Sequence, residues 1–181
     1  MTLTLCTDRT AADWLTDSPL PWQRLVAFGP AGFAASARLR LLPDPAYPEQ
    51  SENDVEAEEW RSGQLPVLFE VLAAGTTTPD DCSFCFWEGS GISWAGKPTG
   101  DGPKVVLPER AYWLFRGPAT TPVAEEPAFV WPADRAWCFA FDVDPHWAGI
   151  SGPIDLIDRL VADPRLDVVR ADPDEPQPHY R

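Results

Sequence analysis

Phe129-Val-Trp-Pro-Ala-Asp-Arg-Ala-Trp-Cys-Phe-Ala-Phe-Asp-Val-Asp-Pro-His-Trp147 is the stretch on which the fold turns. It holds three of the nine tryptophans and one of the two histidines. From Trp137 onward large and small side chains alternate, which is the period of an extended strand. Trp137, Phe139, Phe141 and Val143 share one face, suited to a core. Cys138, Ala140, Asp142 and Asp144 share the other, which turns polar and faces water. Pro145 ends the strand, and Gly149-Ile-Ser-Gly152 reads as a turn.

Working outward, Pro153 and Asp155 open a helix whose apolar stripe is Ile154, Ile157, Leu160 and Val161. Leu166 to Val169 can add a short strand, and residues 172–181 form a C-terminal tail to a single domain spanning 1–171. Upstream, Leu65, Leu68, Phe69 and Leu72 fall at i, i+3, i+4 and i+7 and predict a helix over about 65–74. Cys82 to Trp87, Lys104 to Leu107 and Ala111 to Arg116 read as strands. Ile92 to Trp94 reads as a return arm. Thr10 to Asp17 makes a short first helix, and 23–28 with 33–42 a hairpin around Gly29-Pro-Ala-Gly32. Strands that do not alternate regularly with helices predict an α+β fold. Its sheet is mainly antiparallel and strongly twisted, with three short helices and long proline-rich loops. The 21 prolines keep the elements short.

A formal net charge of −14 repels phosphate backbones and anionic lipid. It disfavours nucleic-acid and membrane partners and favours a protein with a basic surface. Residues 43–59 concentrate this charge, with seven Asp and Glu and no basic side chain. No run of about 18 apolar residues is present. Met1 to Cys6 is too short for a signal peptide, so a cytoplasmic setting is expected. There Cys6, Cys82, Cys85 and Cys138 are reduced thiols.

Three groups of residues are candidates for a site. Asp142, Asp144 and His146, spaced two apart, bring carboxylates and an imidazole to one side of an extended backbone, a catalytic or cation-binding pattern. Cys82 and Cys85 have zinc-ligand spacing, but residues three apart on a strand point to opposite faces, so no metal or other cofactor is assigned. The tryptophans form the third group. Burying each is worth about 4–6 kcal/mol, and one core of this size has little room for all nine with their N–H groups satisfied. Trp87, Trp94, Trp131 and Trp147 are therefore expected partly exposed, as a binding surface. No serine, cysteine or phosphate-loop motif is complete, which points away from an enzyme.

Residues 24–33, 50–55, 77–89 and 129–150 together resemble a group of actinobacterial proteins of unassigned function. That resemblance implies a bacterial cytoplasmic protein with one intact domain, and it transfers no activity or site residue. The acidic, tryptophan-rich character is also similar to that of bacterial immunity proteins of the SMI1/KNR4 superfamily, although their motifs are not matched.

Overall fold

The computed structural model describes residues 2–55, 63–90, 97–98, 100–142 and 145–181. These form an α+β fold of nine strands and four α-helices. In chain order they are β1 (Thr4–Leu5), α1 (Asp13–Thr16), α2 (Trp22–Phe28), β2 (Ala35–Arg40), α3 (Gln64–Ala73), β3 (Cys82–Trp87) and β4 (Val105–Val106). Then come β5 (Ala111–Gly117), β6 (Phe129–Pro132), β7 (Cys138–Ala140), β8 (Trp147–Gly152), α4 (Ile154–Ala162) and β9 (Val168–Ala171). The strands make one open sheet in the order β1-β5-β3-β6-β7-β8-β2-β9, with β4 pairing β5. Every pairing is antiparallel.

The opening stretch is a hairpin: β6 turns through residues 133–136 and pairs back with β7, Val130 opposite Phe139. Trp137 and Phe139 point to the face that α3 and α4 cover, together with Leu68, Leu72, Leu156 and Ile157. Cys138 and Ala140 point to the other face, as alternation requires. That second face is not wet. Leu15, Leu25 and Val26, from α1 and α2, close over it, and Cys138 and Ala140 are fully buried. The sheet is thus packed on both sides. Phe141 and Asp142 lie beyond the end of β7, while Val143 and Asp144 fall outside the described residues.

Three expectations need correcting. Residues 23–28, read as the first arm of a hairpin, belong to the helix Trp22–Phe28, which raises the count from three helices to four. Trp22, Leu25 and Val26 supply the i, i+3, i+4 stripe, and Gly29, at φ +75°, ends the helix. Next, Gly149 to Gly152, read as a turn, belong to the strand β8, which is buried throughout. Its glycines answer a packing demand, because the carbonyl of Ala27 in α2 sits where a Cβ on Gly149 would have to be. Finally, in α4 it is Leu156, Ile157 and Leu160 that face the core, at roughly 1.5–3 kcal/mol each. Ile154 and Val161 are exposed, and Pro153 caps the helix instead of starting it. The helix of 65–74 and the strands of 82–87, 105–106 and 111–117 lie where periodicity places them. The return arm of 92–94 is outside the described residues.

Candidate functional site

Strand β2 sends Ala37 and Leu39 into the core under α4, so Ser36, Arg38 and Arg40 emerge on the opposite face. There β8 lies alongside, with Arg38 across from Gly149 and Arg40 across from Trp147. Ser36 and Ser151 share a hydroxyl hydrogen bond of 2.8 Å, and Ser151 donates to the carbonyl of Phe28. Arg38 is 5% exposed. A glycine opposite leaves it room to lie flat, and its guanidinium stacks 5.5 Å above the Trp147 ring.

A charge so enclosed requires a partner. Arg38 donates from Nη1 and Nη2 to Oδ1 and Oδ2 of Asp44, at 2.6 and 3.1 Å, a two-pronged pair. Arg40 donates at 3.0 and 2.6 Å to Asp167 and lies 3.5 Å from Asp44. Gln64 of α3 ties the rim together, donating to the Arg40 carbonyl and accepting from the Asp167 amide. The buried His146 donates from Nε2 to Asp44 at 3.2 Å. Burial lowers the His146 pKa below its ordinary value, and the carboxylate of Asp44 only partly offsets this. Asp44 also feels burial, which raises its pKa, but the hydrogen bonds from Arg38 and His146 outweigh that and hold it low.

Residues 177–181, expected as a free tail, lie across this cluster. Trp147 donates its indole N–H to the Pro178 carbonyl at 3.2 Å. The Tyr180 ring meets His146 edge-on at 4.7 Å, and its hydroxyl donates to the Pro43 carbonyl at 2.6 Å. Beside them is a cavity of about 410 Å³, lined by Glu52, Pro145, His146 and Trp147 and by the segment itself.

The residues singled out in the sequence take different partners here. Asp142 pairs with Arg110, whose guanidinium stacks on Trp87 at 4.6 Å, whereas His146 pairs with Asp44. Asp144 and Trp94 lie outside the described residues. Among the described residues no three His, Cys, Asp or Glu side chains come close enough to hold a metal ion. Cys82 and Cys85 belong to the cores on opposite faces of the sheet. Burial pushes the Cys82 thiol up to about 12 and raises that of Cys85 well above the usual range.

The expected aromatic surface needs correction. Trp131 is buried at 1% exposure, edge-on to Trp14, and Trp147 is buried at 5%. Trp87 is half-buried, in keeping with the expectation, and no described tryptophan is fully exposed. The reason is physical: Arg135, Arg110, Lys104 and Arg38 lie over the rings of Trp14, Trp87, Trp113 and Trp147. A cation over an indole face hides the ring while keeping its own head near water or a carboxylate. Arg38 and Asp44 were not picked out from the sequence. Residues 33–42 read as one arm of a hairpin, and Asp44 as one carboxylate among seven.

No family model matches the chain, and no curated protein or solved structure matches it either.

Proposed function

We propose that the protein is a non-enzymatic, acidic interaction domain of the cytoplasm that binds a protein partner with a basic surface. The distribution of charge carries this reading. Arg38, Arg40, Lys104, Arg110, Arg116 and Arg165 each face a carboxylate of the same chain. Several of the cations also cover tryptophans. Glu52, Asp54, Asp172 and Glu175 meanwhile stay exposed. With a formal net charge of −14 and exposed carboxylates such as these, the chain repels polyanions and attracts cationic partners. Recognition is assigned to these carboxylates because no described tryptophan stands fully exposed and Trp113, Trp131, Trp137 and Trp147 are buried. All four cysteines are free thiols, which suits a reducing compartment. No helix among the described residues is long and apolar enough to cross a membrane.

The test is affinity capture from native lysate at rising salt. A stoichiometric partner should be retained at low salt, released at high salt, and lost with the reversal Glu52→Lys/Asp54→Lys. A partner indifferent to both, or none at all, overturns the reading.

A second reading, a metal-dependent or small-molecule site on Asp142, Asp144 and His146, draws support only from the cavity beside His146. A thermal shift with a metal or metabolite that disappears in His146→Gln would favour it.

A further inference from the structure

The groove under residues 177–181 has the character of a peptide-binding site holding a peptide of its own chain. The seated sequence is Pro176-Gln-Pro-His-Tyr-Arg181, in a segment that also has Pro173. Residues 176–181 pair with no strand, and proline restricts the backbone beforehand, so docking costs little conformational entropy.

Each contact is of a kind that reads a peptide. The Trp147 indole takes a main-chain carbonyl, as aromatic-lined grooves do with proline-containing ligands. His146 and the Pro43 carbonyl take a tyrosine, one by its ring and the other by its hydroxyl. The Gln50 carbonyl accepts from the amide of Arg181, and Glu49 lies 3.8 Å from the arginine side chain. Arg38, stacked on Trp147 and clamped by Asp44, holds the floor rigid.

The fit of the segment is nonetheless poor. A cavity of about 410 Å³ remains beside it, and the Arg181 side chain is 76% exposed. Just upstream, Asp174 lies 3.7 Å from Arg24, so the segment is held there by charge and not by a filled groove. A segment of the same aromatic-basic character that filled the cavity would sit in the groove more favourably.

We infer that the groove formed by Pro43, Gln50, Glu52, His146 and Trp147 docks a proline-containing segment of the partner that presents an aromatic followed by a cation. Residues 176–181 occupy it in cis. This inference rests on the reading of the chain as an acidic interaction domain and specifies its surface and its partner's chemistry.

The experiment uses a fluorescein-labelled peptide, Pro-Gln-Pro-His-Tyr-Arg, titrated into the full chain and read by anisotropy. The full-length Tyr180→Ala variant should bind it at least about tenfold more tightly than the parent, because apparent affinity rises with the fraction of open groove. Adding Trp147→Phe, which removes the indole donor, should reverse the gain. Should Tyr180→Ala fail to fold, Arg181→Glu, changed at an exposed position, should bind several-fold more tightly than the parent. Equal binding by parent and variant, or none by either, overturns the inference. So does a concentration-dependent dimer of the parent that Tyr180→Ala abolishes, since the groove then receives the segment of a second copy. The two readings fail separately. Loss of peptide binding alongside a salt-sensitive partner removes only the groove. Peptide binding to Tyr180→Ala with no partner recovered removes only the acidic-surface reading.

Discussion

Nε2 of His146 lies 3.2 Å from Oδ1 of Asp44 in a site that leaves the histidine 3% exposed. The groups facing the ring are Asp44, Arg38, Glu52 and Tyr180, and burial dominates, lowering its pKa from 6.5. In the unfolded chain His146 takes up its proton as pH falls through about 6.5, but in the folded chain only at lower pH. The unfolded state thus binds more protons in that window, and stability falls on acidification below about 6.5. Asp44 acts lower: its folded pKa lies below 3.8, so its contribution is present above that value and lost as pH drops further. Urea melts at stepped pH should show the first loss in the parent and not in His146→Gln. An unchanged slope between pH 6.5 and 4.5 in the variant would refute the assignment.

Breaking the clamp beneath the groove should be costly. Asp44→Ala strands the guanidinium of Arg38, whose side chain is 6% exposed, next to an apolar ring. The expected loss is about 3 kcal/mol, the low end for removing one member of a buried pair, because Asp44 keeps 27% of its side chain in solvent. Denaturant unfolding measures it, and a loss under about 1 kcal/mol would mean the pair is solvated.

Gly149→Ala should be among the most damaging small substitutions in the chain. The added methyl overlaps the Ala27 carbonyl, so α2 must lift from β8, at a cost of more than about 4 kcal/mol. Gly63→Ala, where a Cβ meets nothing, should change stability by no more than about 0.5 kcal/mol. Thermal melts of the two side by side decide it.

Thiol chemistry should report the two-sided core. Cys85 and Cys138 are fully buried with raised pKa values, and Cys82 is pushed up to about 12. Only Cys6 is partly accessible. Iodoacetamide near pH 8 should modify one cysteine in the native protein and four in denaturant. Rapid native labelling at a second site would show that one face of the sheet opens.

How far sequence reasoning reached follows from what period detects. Alternation correctly sorted Trp137 and Phe139 from Cys138 and Ala140, and it located β3 and β5. It could not tell a wet face from one covered by a second helical layer, since Cys138 and Ala140 are small enough for either. The turn-like composition of Gly149 to Gly152 misled because Gly149 and Ser151 are small for a tertiary reason, the approach of α2, which leaves no local trace. The tryptophans were expected at the surface on volume grounds, with no account of the cations that roof them. Asp44 lies six residues from Arg38 but 102 from His146, and no spacing rule joins the three.

The position of β2 also sets the timetable by which the chain can fold. Ala37 finds its neighbours in Ile150 and Arg170, and among the described residues no strand made earlier than β8 pairs with this one. On the ribosome, residues 35–40 therefore wait through the synthesis of more than a hundred others with Ala37 and Leu39 uncovered, and such distant pairing closes slowly. The half of the sheet from β1 to β7 needs no residue beyond Ala140, whereas β2 needs β8 and β9, which makes its zippering between them the last step and the one most open to chaperones or misassembly.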